Sequence, residues 1–260
     1  MKRYFHIWWV LSVASIQTAA ASYTTVVLFT FGKLLRFILF LGFILLLQLR
    51  TKSLGGYTTW EVILFFAVFN FIDTASQLFF REVYRFRPYI TRGTFDFYLL
   101  KPFSPLFRSL FGGMDILDMP LLIISFGFII FSAVMIGHIS LIHSALFVLL
   151  LLNGLVIAAA FHIFVLCLGI LSTTVDQLLW IYRDLTIFGR VPITVYQEPI
   201  RGFMTFVIPV GIMMAFPAQA MLGILSPLTI LIAILIAGGL LVSSLLLWRY
   251  SLKQYTSASS

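Results

Sequence analysis

The sequence predicts an all-α membrane protein with six transmembrane helices, and three observations support this fold class. The 260-residue chain is 61% hydrophobic and only 10% charged, whereas charged residues make up about 25% of soluble domains. Its mean hydropathy of +1.08 leaves too little polar surface to cover a globule in water. The apolar residues fall into runs of about 20, the length that a helix needs to cross roughly 30 Å of hydrocarbon.

The apolar runs define a single transmembrane domain over residues 1–260, with no separate soluble domain. Residues 2–20 mix Lys2 and Arg3 with Trp8 and Trp9, which is typical of an interfacial helix with its indoles at headgroup depth. Lys33 and Arg36, in the first turns of the next run, are expected to extend toward the headgroups. Hydropathy predicts spans at about 30–49, 58–80, 115–136, 144–171 and 227–248.

The region 172–226 supports two interpretations of the remaining span. The uncharged stretch 203–224 has the higher hydropathy, but Pro209 and Pro217 interrupt it, and each proline inside a helix costs about 3 kcal/mol unless a kink is required. The alternative places the span at 174–190 and makes 197–224 a broken, re-entrant hairpin, which a membrane tolerates where protein buries the backbone. Both interpretations give six spans and put the two termini on one side.

The distribution of basic residues orients the chain. With the span at 174–190, the side of the N-terminus carries twelve Lys and Arg residues and the other side carries four. The twelve are Lys2, Arg3, Lys33, Arg36, Arg81, Arg85, Arg87, Arg92, Lys101, Arg108, Arg249 and Lys253, and the four are Arg50, Lys52, Arg190 and Arg201. Loops rich in Lys and Arg stay in the cytoplasm, so both termini are predicted to be cytoplasmic. This topology also explains the net charge of +8 without a nucleic-acid partner.

No motif for catalysis or nucleotide binding occurs in the sequence. The Gly-Lys pair at 32–33 is followed by Leu34 where a phosphate-binding loop needs Ser or Thr. The four histidines have no partner at helical spacing, so no metal site is expected. The single cysteine, Cys167, cannot form an intramolecular disulfide. The chain is therefore not expected to be an enzyme or to hold a cofactor, and energy for any uphill transport must come from a partner or an ion gradient.

The stretch 91–109, "TRGTFDFYLLKPFSPLFRS", is unusual between two apolar spans. Gly93 breaks the preceding helix, Thr94 or Asp96 can cap a new one, and Pro102 ends it. Phe95, Tyr98 and Leu99 are expected on one face of this short helix. An aromatic face with few charges suits a groove on a soluble partner, although a helix lying in the headgroups would have a similar pattern. Arg108, beyond Pro102, is expected to matter less.

Charged residues inside the predicted spans are costly and therefore informative. Arg183, Asp184 and Asp73 lie within apolar runs, where each charge costs roughly 2.5–3.5 kcal/mol on insertion scales. Arg183 and Asp184 are adjacent and point about 100° apart, so Asp73 or Asn70 is a better partner for Arg183. These charges predict either a translocation path or a bridge that fixes helix packing. Asp115 and Asp118 are expected to cap the third span.

Two stretches resemble the ABC-2 type permeases, the ABC-2 family transporter proteins of bacteria. In the first, Arg92, Gly93, Asp96, Leu99 and Pro102 match the family's Arg-Gly-x-x-Asp-x-x-Leu-x-x-Pro run. The second, within 189–223, follows the family's later proline pattern. Its matching residues are Pro192, Tyr196, Ile208, Pro209, Pro217 and Ala218.

The resemblance implies a permease subunit of an ABC transporter, expected to be an exporter, in the bacterial inner membrane. It implies that 81–112 is a cytoplasmic loop whose coupling helix docks on a separate ATP-binding subunit, which holds ATP and magnesium. The residues implied in coupling are Arg92, Gly93, Phe95, Asp96, Leu99, Lys101 and Pro102.

The resemblance also implies a second permease, identical or a sibling, and a re-entrant helix pair at 197–224 before the last span. It therefore favours 174–190 as the fifth span. The competing hypotheses are an ion-coupled secondary transporter that uses the intramembrane Asp and Arg residues, which would normally show repeated broken helices, and a membrane scaffold without transport.

Overall fold

The computed structural model of the protein describes residues 2–51, 53–172 and 175–256, and of Val175 and Asp176 the backbone alone. Lys52 and residue 174, which enter the predictions above, lie outside these residues. In chain order the α-helices are α1 (Lys2–Ala20), α2 (Tyr23–Thr51), α3 (Thr59–Phe80), α4 (Phe86–Thr91), α5 (Asp96–Leu99), α6 (Pro105–Leu110), α7 (Met119–Ile136), α8 (Leu141–Ser172), α9 (Val175–Thr186), α10 (Ile200–Gly202), α11 (Phe216–Met221) and α12 (Pro227–Gln254).

Shorter helical turns connect these elements. 3₁₀ turns cover Arg81–Arg85, Ile116–Asp118, Ile187–Arg190 and Ile193–Val195, and π-helical turns cover Phe203–Val207 and Gly211–Ala215. The described part of the chain forms no strand, and one isolated bridge joins Leu54 to Tyr57.

The predicted all-α membrane fold is confirmed, because five helical stretches are long and apolar enough to cross a membrane. They are Tyr23–Thr51, Thr59–Thr91, Ile116–Ile136, Leu141–Ser172 and Pro227–Gln254. A sixth candidate is the pair Ile200–Val207 and Gly211–Met221, whose two parts meet at a bend of 80°.

The helix α3 forms the centre of the bundle. In its most apolar stretch 78% of the residues are buried, against 11% for α2 and 17% each for α7 and α12, whose outer faces are free to contact lipid. Inside a bilayer the hydrophobic effect does not drive helices together, so their association depends on close packing of side chains. The α12 interface accordingly uses small residues, and Ala233, Ala237 and Ser244 are buried there.

One end of the bundle, which we name the basic end, gathers α1, residues 81–118 and the end of α12. The Ser104 amide donates to Tyr4 Oη at 3.3 Å, and the Met114 amide donates to Ser12 Oγ at 3.1 Å. Tyr255 Oη donates to a carboxylate oxygen of Asp96 at 2.9 Å. These bonds connect α1 and α12 to the loop between α3 and α7.

The other end, which we name the opposite end, contains the loops 53–58 and 137–140. Thr194 Oγ1 donates to the carbonyl of Gly55 at 3.3 Å, which brings the chain after α9 to this end. Gly223 also lies here, because a Cβ built on it would be 2.6 Å from the ring of His143. The residues on both sides of the bent pair therefore contact the same end of the bundle.

The helices α8 and α12 run in the same direction. Asn153 Nδ2 donates to the carbonyl of Ala233 at 3.2 Å, and Cys167 Sγ lies 3.9 Å from the carbonyl of Ser244 further along both helices. The chain must therefore return from the basic end to the opposite end between Ser172 and Pro227. The helix α9 begins this return, but its 12 residues rise only about 18 Å. A 3₁₀ turn and extended backbone follow it.

Candidate functional site

The loop 81–112 folds at the basic end into several short helices around a tight turn. Gly93 has φ +67°, a left-handed conformation that glycine adopts without a Cβ clash. The Phe95 amide donates to the carbonyl of Tyr89 at 3.0 Å, which folds the chain back onto α4. The predicted break at Gly93 is therefore a reversal of chain direction, and α5 after it is a single turn, Asp96–Leu99.

The side chain of Phe95 lies in the protein core, so its predicted role as an exposed docking residue is wrong. It is fully buried, and its ring packs edge-on against Phe86 at 5.3 Å and Tyr255 at 5.2 Å. The ring of Trp248 closes the same cluster at 6.4 Å. Phe95, which directly precedes α5, thus joins the loop to α4 and to the last helix.

Glu82 organises this loop, and the sequence analysis did not single it out. Its buried carboxylate accepts from Tyr89 Oη at 2.7 Å and from Arg108 Nη1 at 2.7 Å, and it lies 3.8 Å from Arg85 Nη1. The Arg108 guanidinium also stacks over the ring of Tyr98 at 5.1 Å. Arg108 therefore contributes more than expected, because it links the base of the loop to α5.

The apolar side chains that remain outside form the tip of the loop, which consists of Phe97 and Leu99–Pro102. Phe97 is 65% exposed and Leu100 is 82% exposed. Lys101 extends over the Tyr98 ring at 5.7 Å, and Pro102 is exposed after it. Arg92 is exposed near this tip, whereas the carboxylate of Asp96 is bonded to Tyr255. The predicted coupling residues thus divide into an exposed set and a structural set.

A polar cavity opens inside the bundle, in the half nearer the basic end. Four basic residues line it, and each comes from a segment that hydropathy assigned to a span or its edge: Lys33, Arg36, Arg183 and Arg190. Asp73, Asn70 and Gln77 line its α3 side, and Asp118 lines it at the start of α7. Arg36 and Lys33 lie beyond the first turns of α2, which begins at Tyr23, and Lys33 reaches Asp118 at the start of α7.

The carboxylates of this cavity already have partners. Lys33 Nζ forms an ion pair with Asp118, and Gln77 Nε2 donates to Asp73 at 3.0 Å. Asp115 caps the 3₁₀ turn that precedes α7, since Asp115 Oδ1 accepts from the Leu117 amide at 3.1 Å, and it also pairs with Arg81 at 3.2 Å. Asp118, the predicted second cap, forms no side-chain cap hydrogen bond at the start of α7.

Two arginines of the cavity contact aromatic rings. Arg183 lies over the ring of Trp180 at 5.5 Å, and Arg190 lies over Phe40 and Phe69 at 5.2 and 5.5 Å. Within the described residues, Arg36, Arg183 and Arg190 form no ion pair within 4 Å. Arg183 and Asp73 line the same space, as predicted, but not as a bonded pair, and Asp184 lines only the adjoining part.

The prolines that carried the second resemblance mark breaks in the chain. Pro192 is buried before the 3₁₀ turn at Ile193–Val195, and Tyr196 packs on Phe188 at 5.5 Å. Pro209 lies at the 80° bend, and its carbonyl accepts from the Met213 amide at 2.9 Å. Pro217 opens α11, where its missing amide costs no helical hydrogen bond.

The bent pair penetrates deeply into the bundle. A Cβ on Gly154 of α8 would lie 2.5 Å from the carbonyl oxygen of Met213, so only glycine permits this approach. At the exposed start of the pair, Glu198 accepts from Arg201 Nε at 2.7 Å and from the Gly202 amide at 2.9 Å. These hydrogen bonds, that of Arg201 first, lower the pKa of the Glu198 carboxyl.

Among the described residues, no group of three His, Cys, Asp or Glu side chains is placed to hold a metal ion. His162 packs between Phe80 and Tyr182 at 5.1 and 4.9 Å, as a core residue. What remains is a charged cavity within the membrane domain and an exposed apolar tip at one end of it.

Comparison with known proteins gives one match. No curated protein and no solved structure is similar to the chain. The ABC-2 family transporter proteins match over residues 34–259, which include the loop 81–112, the arginines of the cavity and the bent pair. The family is a transport subunit of the membrane and is not itself catalytic. The chain therefore belongs to the ABC-2 family transporter proteins and is a multi-pass membrane permease subunit of an ABC transporter.

Proposed function

We propose that the chain is the permease of an ABC exporter and that a separate ATP-binding subunit docks on the tip of the loop 81–112. The observation that carries this proposal is the exposure of Phe97 and Leu100 on a rigid support. Isolated exposed apolar side chains are common, but here they cap a loop whose interior is tied together by Glu82, Phe95 and Arg108. Such rigid apolar residues suit the hot spot of a protein interface.

The charge distribution supports a cytoplasmic position for this tip. The basic end carries the Lys and Arg residues of α1, of the loop 81–112 and of the end of α12, and cytoplasmic loops collect such residues. An ATP-binding subunit must work where ATP is available, so ATP and magnesium belong to that cytoplasmic partner. The bacterial inner membrane is the corresponding location, with both termini of the chain in the cytoplasm.

The contacts of the bent pair support a re-entrant arrangement, with the fifth crossing formed by 174–190 and the turn after it. Tyr182 packs against His162 near the basic end, and Thr194 already bonds to Gly55 at the opposite end. The pair then begins at Ile200 and returns to Gly223, which lies beside His143 at that same end. A crossing formed by the pair itself would need its two ends on different sides.

The position of the cavity supports export. It lies in the half of the domain nearer the basic end, next to Asp118 and Gln77, so a ligand from the cytoplasm or the inner leaflet has the shorter path to it. The chain alone does not fully enclose the cavity. A second permease, identical or a sibling, would complete the translocation path.

Association with the ATP-binding subunit tests the docking proposal. Leu100→Glu places a charge on the tip, so we expect it to abolish copurification of the coexpressed ATP-binding subunit while the permease remains folded in the membrane. The matched control is Leu141→Glu, because Leu141 is 89% exposed at the opposite end. Retained partner binding by Leu100→Glu would refute the proposal. If the loop lies in the headgroups instead, neutralising Arg92 and Lys101 should release the loop from anionic vesicles.

Cysteine labelling tests the re-entrant arrangement. Cys167 is the only cysteine, so its replacement by alanine gives a cysteine-free background for single cysteines at 197–202. We expect an impermeant maleimide to label these positions in intact cells, as it should label a control cysteine at Ser53. Labelling only after permeabilisation would show that the bent pair is itself the fifth crossing.

A further inference from the structure

Two adjoining cavities share three arginines that form no ion pair among the described residues. Arg36, Phe69, Asp73, Arg183 and Arg190 line both spaces, whose volumes are about 70 and 190 Å³. The segments that bring the arginines together are α2, α9 and the turn Ile187–Arg190. Because α2 is far in sequence from α9 and from the turn that directly follows α9, the cluster is a product of the fold.

The local balance of charge leaves this cluster positive. Lys33 and Asp118 neutralise one another, which leaves three guanidinium groups against the carboxylates of Asp73 and Asp184. Asp73 is already bonded to Gln77, and neither carboxylate lies within ion-pair distance of an arginine in the described chain. Charged groups at membrane depth are costly and normally have a partner or mark a ligand path. Arg183 and Arg190 contact aromatic rings instead.

A groove on the outer surface of α2 shares two basic residues with the cavity. Leu28, Phe29 and Gly32 line the groove together with Lys33 and Arg36, which also line the cavity. Leu28 and Phe29 are 64% and 60% exposed and so are free to contact lipid. The groove has a volume of about 410 Å³ and is almost entirely apolar apart from those two basic residues. Lys33 and Arg36 thus lie between an apolar surface groove and a cationic cavity.

We propose that this cavity binds the anionic headgroup of an amphiphile, a phosphate or a carboxylate, while the amphiphile's apolar chain lies in the groove on α2. Arginine suits this role because its planar guanidinium binds either anion through two parallel hydrogen bonds. Exclusion of water strengthens those bonds. The proposal rests on the proposed transport function, because it identifies the chemical class of the cargo.

Direct binding to the purified permease, without any ATP-binding subunit, tests this site. The probes are dodecyl phosphate, dodecyltrimethylammonium and inorganic phosphate, titrated by calorimetry into the permease in a neutral maltoside detergent. We expect dodecyl phosphate to bind and the cationic probe of equal chain length not to bind. Arg36→Gln and Arg183→Gln should each weaken binding of dodecyl phosphate by about tenfold or more, because each removes a charged hydrogen-bond donor.

The matched control is Arg50→Gln, since Arg50 lies in the last turn of α2 and does not line the cavity. It should bind dodecyl phosphate like the wild type, and all variants should elute as single peaks in size-exclusion chromatography. Arg183→Lys, which keeps the charge, should recover part of the binding and so guards against a folding defect in Arg183→Gln.

Several results would overturn the proposal. Equal binding of the anionic and cationic probes would exclude headgroup recognition, and inorganic phosphate that competes as well as dodecyl phosphate would exclude the role of the groove. Unchanged binding in both glutamine variants, with a shift from dimer to monomer, would assign the arginines to a subunit interface. The outcome is independent of docking, because Leu100→Glu should lose the ATP-binding subunit and still bind dodecyl phosphate.

Discussion

The loop 81–112 and the arginine cavity are both rich in charge, but they use charge in opposite ways. In the loop, Glu82 is shared by Tyr89, Arg85 and Arg108, and Asp96 is bonded to Tyr255. In the cavity, three arginines line the same space without a carboxylate within ion-pair distance in the described chain, and two of them contact aromatic rings. Satisfied charges hold the loop in place, whereas charges without an ion pair are available to a ligand.

Substitution of Phe95 should have the largest effect on stability. Phe95→Ala removes a fully buried ring that contacts Phe86, Trp248 and Tyr255, and such truncations cost about 3–5 kcal/mol. We expect a lower thermal unfolding temperature in detergent and less folded permease in the membrane. The matched control is Phe97→Ala, which should leave stability unchanged because Phe97 is 65% exposed. Equal stability of the two variants would mean that the loop does not form the aromatic cluster.

The buried position of Phe95 separates it from the exposed residues of the loop with which its sequence motif groups it. A short helix after Gly93 and its end before Pro102 follow from local rules for glycine and proline, and the structure has a single turn there. The direction in which Phe95 points does not follow from local rules. Trp248 and Tyr255, which enclose it, are about 150 positions later in the chain.

The cavity was predictable only in part for a similar reason. Polar residues in apolar runs single out Asp73 and Arg183, and both line the cavity. Hydropathy places Arg36 and Arg190 near span ends. For Arg36 the reason is that hydropathy starts the first span about seven residues after the observed helix start at Tyr23. The convergence of α2, α3 and the Ile187–Arg190 turn depends on tertiary packing, which a single sequence does not contain.

Removal of the Glu82 carboxylate should have the next largest effect. Glu82→Gln keeps the size of the side chain but leaves the half-buried Arg108 guanidinium without a counter-charge, and breaking such pairs costs about 3 kcal/mol. The expected result is a lower unfolding temperature together with weaker copurification of the ATP-binding subunit, because the tip loses its support.

The exposed pair at the opposite end supplies the control for Glu82. Glu198→Gln also removes a carboxylate that pairs with an arginine, but water reaches both side chains there, so its effect should be far smaller. If Glu82→Gln and Glu198→Gln were equally stable, the network in the loop would not be what positions the tip.

The smallest expected effect on stability is in the cavity. It tests most directly whether charge in the cavity, unlike charge in the loop, is dispensable for the fold. Arg183→Gln removes a half-buried charge that has no ion-pair partner among the described residues, so no counter-charge is left unsatisfied. We expect the free energy of unfolding to change by no more than about 0.5 kcal/mol, or to rise, as is common when a charge kept for function is removed. Thermal unfolding in a neutral detergent, beside Glu82→Gln, measures the difference.

A loss of stability as large as that of Glu82→Gln would contradict this interpretation. It would mean that the Arg183 guanidinium has a structural counter-charge, and the concentration of permease would show where that partner lies. A loss that grows as the protein is diluted would place the partner on a second subunit, since the stability of a dimer depends on concentration. A loss independent of concentration would place it within the chain. In either case the cavity would belong with the loop, as a region where charge fixes structure.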